Sequence, residues 1–222
     1  MRTRALVLAL AAMLAARSGA QTPAAAPAAP PEPAVDVILP APEARGTQPP
    51  AVSNARMLED RTTRELLHSG FPARLHFRVE LWEAKTLFDK LVTAVEWDVI
   101  VRYDPLARHY TVTRIAEKVT PLGTFAELKD AQEMVSRPFV PDIAPPTDHK
   151  RRYYYFASLT VEMLSVTDID EVQRWLRGEG EPMVQGKQNA GTALGRGLQT
   201  LFTRMLGGQV RTYHARSAVF RP

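Results

Sequence analysis

Five histidines decide whether a metal or acid–base site can be read from this sequence. They are His68, His76, His109, His149 and His214. No two of them follow the H-E-x-x-H pattern, which would place two ligands on one face of a helix. The chain contains no cysteine, so thiolate metal sites and disulfides are both excluded. We therefore predict no metal site and no cofactor.

Two further catalytic patterns fail on their spacing. A G-x-S-x-G nucleophile elbow does not occur. The glycine-rich stretch 178–197 offers Gly186-Lys187, but Gln188 stands where a phosphate-binding loop needs Ser or Thr. Thr200 stands where G-x-G-x-x-G needs its third glycine. We predict a flexible connection there, no catalytic residue, and a protein that is not an enzyme.

The C-terminal end carries the strongest charge feature of the chain. Residues 185–222 contain no Asp or Glu and six basic residues, which are Lys187, Arg196, Arg204, Arg211, Arg216 and Arg221. This pattern predicts a basic surface for an anionic membrane or an acidic protein partner. An ordinary helix that faces the core shows the same pattern, so both interpretations stay open.

A second basic stretch, 149–152, precedes three tyrosines and a phenylalanine at 153–156. Proteins that bind single-stranded nucleic acids mix such residues. The alternative is a basic loop that leads into a buried aromatic strand. Because the chain is predicted to be exported, we favour the loop and predict no nucleic-acid partner.

The first twenty residues predict an export signal. Arg2 and Arg4 give a positive start, and Ala5–Ala16 is an unbroken apolar run. Ser18 and Ala20 are the small residues of a cleavage site, which predicts cleavage after Ala20. A membrane-spanning helix needs about 20 apolar residues, so cleavage is favoured over a retained anchor. The expected location is the periplasm.

Removal of the export signal would lower the net charge of the chain. The formal net charge of +4 includes Arg2, Arg4 and Arg17, and without these three residues it is +1. The basic character of the whole chain is then no argument for a nucleic-acid partner.

The rest of the chain divides into a spacer and a domain. Residues 21–50 are rich in Ala and Pro, which predicts an extended, disordered tether. Within it Val35–Leu39 is β-prone, and it either pairs with a sheet edge or continues the tether. Residues 51–222 are long enough to bury a core and are predicted to form a single domain.

Alternating apolar and charged residues predict antiparallel strands in this domain. Leu75, Phe77, Val79 and Leu81 alternate with charged residues, and 94–115 has the pattern of a β-hairpin with its turn at 104–108. Further strands are predicted at 152–164 and 209–220.

Four helices are predicted from apolar periodicity and capping residues. They cover Leu58–Ser69, a segment from the N-cap Thr124 to Val135 with Glu127 completing a capping box, Asp168–Arg177 and Thr192–Leu206. The expected fold is mainly β or α+β: an antiparallel β-sandwich, or a layered sheet with about four helices.

Several of these segments resemble one protein family. They are Leu66–Pro72 with the strand after it, the hairpin residues 102–112, and the aromatic strand with the helix to Leu176. Over roughly 55–180 the chain resembles domain of unknown function family 4390, an uncharacterised family of exported bacterial proteins. The resemblance implies an extracytoplasmic domain and assigns no activity, so no catalytic residue follows from it.

The sequence thus predicts a non-enzymatic periplasmic or cell-envelope binding module. Its partner would be an envelope protein or an anionic membrane surface. The alternative is an envelope enzyme of hydrolase type whose carboxylate site no motif reveals. A concave pocket that collects histidines or carboxylates would favour the enzyme, and a flat basic patch would favour the binding module.

Overall fold

The computed structural model describes residues 32–164 and 210–222. In that part of the chain six strands form one antiparallel sheet in the order β6-β5-β4-β3-β7-β8, and β1 and β2 form a separate hairpin. The elements are β1 (Ala34–Ile38), β2 (Ala51–Ala55), α1 (Arg61–His68), β3 (Ala73–Glu83), β4 (Lys90–Asp104), β5 (His109–Ile115), β6 (Val119–Phe125), α2 (Leu128–Ser136), β7 (Tyr153–Met163) and β8 (Arg211–Arg216), with a 3₁₀ turn at Pro42–Ala44.

Strand β3 lies at the centre of the large sheet, between β4 and β7. Its residues Leu75, Phe77, Val79 and Leu81 are all buried, as their alternation with charged residues predicts. The predicted hairpin is also confirmed, because Asp98–Asp104 of β4 pairs antiparallel with His109–Ile115 of β5. Its turn is held by Asp104, whose Oδ1 accepts hydrogen bonds from the backbone N–H groups of Leu106 and Ala107.

The prediction of a tether over 21–50 is wrong at its C-terminal end. Ala34–Ile38 is strand β1, which pairs antiparallel with β2 along its whole length. Val35 and Val37 are buried, and the hairpin lies against β7 and β8. The β-prone segment therefore does pair, but with β2 rather than with an edge of the large sheet.

Both described helices begin later than predicted. Helix α1 begins at Arg61, because Asp60 is the N-cap and its Oδ1 accepts a hydrogen bond from the Thr63 N–H at 2.9 Å. Helix α2 begins at Leu128 with Glu127 as its N-cap. The capping box at Thr124 is wrong, because Thr124 pairs with Thr111 in the sheet.

Strand β6, which contains Thr124, was not predicted. Pro121 and Gly123 interrupt its alternation, and a register irregularity lies opposite them in β5. Proline is typical of edge strands, where the backbone has one pairing side only, and glycine within a strand often marks a bulge.

The fold is a β-rich α+β arrangement in layers. One face of the large sheet packs against β1, β2, α1 and α2, and the other face carries polar side chains. The structure describes two α-helices, fewer than the four expected, and the predicted helices Asp168–Arg177 and Thr192–Leu206 lie outside the described residues. Neither described helix has the length and apolar character to cross a membrane.

Candidate functional site

A cleft of about 170 Å³ lies between the apolar face of the large sheet and helix α2. Its volume is close to that of a cavity of about 150 Å³ that admits benzene. The cleft therefore has room for one ring-sized apolar group. The lining residues that matter most for its chemistry are Asn54, Phe77, Trp97, Arg114, Arg137 and Phe139.

Aromatic rings form one side of this cleft. The rings of Phe77 and Trp97 stack with centroids 4.9 Å apart and planes 4° from parallel. Phe139 meets Trp97 edge-on at 5.0 Å. The backbone holds Phe139 in place, because its N–H and C=O exchange hydrogen bonds with Val52 of β2 at 2.9 and 2.8 Å. The aromatic wall is thus fixed by three strands: Phe77 lies on β3, Trp97 lies on β4, and Phe139 is held by β2.

Arg114 brings a cation to this apolar face. It follows Tyr110 and Val112 on the same side of β5, where alternation calls for an apolar residue. Its guanidinium lies 4.0 Å from the centroid of the Phe139 ring. No carboxylate among the described residues forms an ion pair with it, and burial lowers the pKa of Arg114. A cation with this environment is available to an anionic ligand.

Arg137 and Asn54 add polar groups at the end of α2. Arg137 is the C-cap residue of the helix, is exposed, and forms no ion pair with a described carboxylate. The Nδ2 of Asn54 donates to the Val135 carbonyl at 2.8 Å, which satisfies one of the last carbonyls of the helix. The Asn54 Oδ1 is buried and has no hydrogen-bond partner among the described residues. The cleft therefore combines an aromatic wall with two cations.

On the opposite face of the sheet the arginines are paired with carboxylates. Arg74 is buried and bonds to Asp98 of β4 at 2.9 and 3.0 Å and to Glu162 of β7 at 2.7 Å. Arg78 pairs with Glu80 and Glu96. Asp98, Glu96 and Glu162 lie on the strands beside β3, and Glu80 lies on β3 itself, so each guanidinium is neutralised within the sheet.

The same face contains an arrangement that resembles part of a catalytic site. His76 Nδ1 lies 2.8 Å from Asp98 Oδ1, as an oriented general base would. Burial alone would raise the pKa of Asp98, but the His76 hydrogen bond and the charge of Arg74 lower it. No hydroxyl or thiol among the described residues hydrogen bonds to His76, and Asp98 is shared with Arg74. Within 32–164 and 210–222 this pair therefore has no partner that could act as the nucleophile of acyl-transfer chemistry.

The other histidines are dispersed through the fold. His68 Nε2 hydrogen bonds to the Tyr110 hydroxyl, His149 contacts the Pro222 carbonyl at 2.7 Å, and His214 stacks on Phe156. Within 32–164 and 210–222 no three His, Asp or Glu residues are arranged to hold a metal ion.

The predicted basic surface is not brought together in the described part. Lys187, Arg196 and Arg204 lie outside the described residues. Arg211 is bonded to Asp60 and Thr63, whereas Arg216 lies over the ring of Tyr154 at 3.7 Å. These two arginines are five positions apart on β8 and face opposite sides of it. Arg221 is exposed beyond the strand.

Sequence reasoning missed the cleft arginines, although Arg114 carried a signal. Tyr110, Val112 and Arg114 lie two residues apart, so all three side chains point to the same face of the strand. Arg114 therefore occupies a position where the alternation predicts an apolar residue. Arg137 and Phe139 had no such signal, because they belong to the proline-containing connection after α2.

Fold and cleft together define a β-rich α+β domain with an aromatic, positively charged pocket. A family model, Domain of unknown function (DUF4390), matches residues 52–177. The match covers more than half of the chain, so the protein belongs to this family, and the resemblance read from the sequence is confirmed. No curated protein and no solved structure matches the chain.

Proposed function

We propose that this protein is a non-catalytic binding module of the cell envelope, and that its cleft takes an apolar, ring-sized group bearing a carboxylate. The observation that carries the proposal is the position of Arg114. This guanidinium lies on an apolar face, beside aromatic rings, with no described carboxylate to neutralise it.

The chemistry of the pocket favours this class of ligand. A guanidinium that has lost part of its hydration gains most from an anion that accepts two parallel N–H hydrogen bonds, as a carboxylate does. Arg137 lines the same cleft and adds a second positive charge. Phe77 and Trp97, whose rings stack on each other, line the cleft and give the rest of the ligand an apolar contact.

The envelope location rests on the first twenty residues. A positive start, an apolar run and small residues before Gln21 together support export. Residues 1–25 fused to a reporter enzyme that is active only outside the cytoplasm should give activity. Replacement of Ala20 by Tyr should leave the fusion uncleaved, and an inactive wild-type fusion would refute export.

The ligand class is tested with a matched pair of small probes. Phenylacetate carries a ring and a carboxylate, and phenylacetamide is its neutral counterpart. We expect phenylacetate to shift the Trp97 indole N–H resonance and to bind at least about tenfold more tightly than the amide, a difference of about 1.4 kcal/mol. Equal binding of the two probes would overturn the proposal.

Two substitutions test whether the preference for phenylacetate arises in the cleft. Arg114→Gln should largely remove the preference for phenylacetate, because it removes the guanidinium on the apolar face and leaves only the exposed Arg137 as a cation of the cleft. Arg102→Gln is the control, since Arg102 lies on the opposite face of the neighbouring strand β4. If Arg102→Gln reduced binding as much as Arg114→Gln, the affinity would reflect general charge and not the cleft.

A further inference from the structure

Two large apolar side chains project from the turn that joins β3 to β4. Leu87 is 86% exposed and Phe88 is 85% exposed. Leu91 and Val92, at the start of β4, are also exposed. Apolar groups collected at one protruding tip, rather than scattered over a surface, are typical of an interaction site.

Basic side chains surround this tip. The Ala84 N–H donates to the Arg152 carbonyl at 2.8 Å, which brings the basic stretch before β7 beside the turn. Six exposed cations lie at this end of the sheet: Lys85, Lys90, Lys150, Arg151, Arg152 and Arg216. We call this end, comprising residues 83–92, 148–152 and Arg216, the hairpin end.

The acidic residues of the hairpin end are already engaged within the molecule. Arg151 bonds to both Glu83 and Asp148, at 2.9 and 2.8 Å. Asp89 accepts a hydrogen bond from the Tyr154 hydroxyl at 2.9 Å. With six cations against three carboxylates, this surface has an excess of positive charge.

Aromatic residues stand directly behind the tip. Trp82 and Tyr154 are stacked at 6.4 Å, and the Arg216 guanidinium covers the Tyr154 ring. Each ring has an apolar body and a polar group, and such residues are enriched at the level of lipid headgroups. The order from the tip inward is thus apolar side chains, then cations and amphipathic rings.

We propose that the hairpin end docks the protein on an anionic phospholipid membrane. Leu87 and Phe88 enter the boundary between headgroups and acyl chains, while the surrounding lysines and arginines contact phosphate groups. A convex tip suits a bilayer, whereas a stable protein partner needs about 800 Å² of complementary surface on each side. The inference is independent of the ligand proposed for the cleft.

The opposite end of β4 provides a matched control. The β4–β5 turn also exposes a single leucine, Leu106, which is 95% exposed. It stands alone there, beside Asp104 and Arg108. If exposure of a leucine were sufficient for membrane contact, both ends of the strand would bind.

Because the chain has no cysteine, one introduced thiol gives a unique position for a label. Thr86→Cys and Ala107→Cys, each carrying a polarity-sensitive fluorophore, report on the two turns of the full chain. With vesicles of equal parts phosphatidylglycerol and phosphatidylcholine we expect a blue shift at position 86 and none at 107. With phosphatidylcholine alone neither label should shift, and added salt should weaken the response.

Substitution of the exposed residues completes the test. Leu87→Ser combined with Phe88→Ser should reduce the vesicle affinity reported at position 86 by more than about tenfold, since both side chains leave water on docking. Leu106→Ser should leave it unchanged, and none of these exposed substitutions should change Tm. No shift with anionic vesicles, an equal shift with neutral ones, or an equal loss on Leu106→Ser would each overturn the proposal.

Discussion

The two faces of the large sheet hold their arginines in opposite ways. On the polar face Arg74 is enclosed by Asp98 and Glu162, and Arg78 is paired with Glu80 and Glu96. On the apolar face Arg114 contacts the ring of Phe139 and no described carboxylate. The first arrangement neutralises charge inside the fold, whereas the second leaves a cation directed at an open cleft.

This difference separates a structural role from a binding role. A buried charge without a partner is costly, so the carboxylates around Arg74 are needed simply to keep it in the folded protein. A half-buried cation beside a cleft has lost part of its hydration, and a bound anion compensates for that loss. If this distinction holds, the same substitution should have different consequences for arginines of the two faces.

The largest effect is expected for Arg74→Met. This change leaves Asp98 and Glu162 buried without their cation, and removal of one partner from a buried ion pair costs about 3–5 kcal/mol. Urea denaturation measures the free energy of unfolding. Arg102→Met, a half-buried arginine of β4, should change it by less than about 1 kcal/mol. A loss for Arg74→Met as small as that of the control would contradict the structural role of the pair.

A second effect follows from the titration of Asp98. Its pKa is lower in the folded chain, because the His76 hydrogen bond and Arg74 outweigh the effect of burial. Such a carboxyl stabilises the fold above its unfolded pKa of about 3.9, and this stabilisation is lost as the pH falls through the folded pKa. The unfolded chain binds more protons in that range, so stability should decrease on acidification.

Denaturation midpoints between about pH 5 and pH 2 measure this acid dependence. Asp98→Asn should flatten the curve, because the group that titrates is gone. Glu133→Gln, on the exposed side of α2, should leave its slope unchanged. An unaltered slope in the Asp98→Asn variant would show that other carboxylates govern the acid response.

The polar face shows what the sequence could and could not predict. The alternation of apolar and charged residues along β3 identified both faces of the strand, because whether a side chain is apolar or charged indicates whether its position is buried or polar. The partners of Arg74 lie 24 and 88 residues away along the chain, and only the strand order and register place them beside it. Strand β1 was misjudged for a related reason, since its pairing depends on β2 beyond a proline-rich connection.

The smallest effect on stability is expected for Arg114→Met, and its small size is the informative result. The substitution removes a cation–π contact, which contributes about 0.5–1 kcal/mol, but also removes a partly desolvated charge with no described carboxylate. The Met side chain remains able to contact the Phe139 ring. We therefore expect a change of less than about 1 kcal/mol in either direction, measured by the same urea denaturation as for Arg74→Met. The decrease of stability on acidification should be unaltered, because no described carboxylate pairs with Arg114, while the preference for phenylacetate should be largely lost, with Arg137 as the remaining cation of the cleft. A loss as large as that of Arg74→Met would mean that Arg114 also holds the fold together, and the contrast between the two faces would then be false.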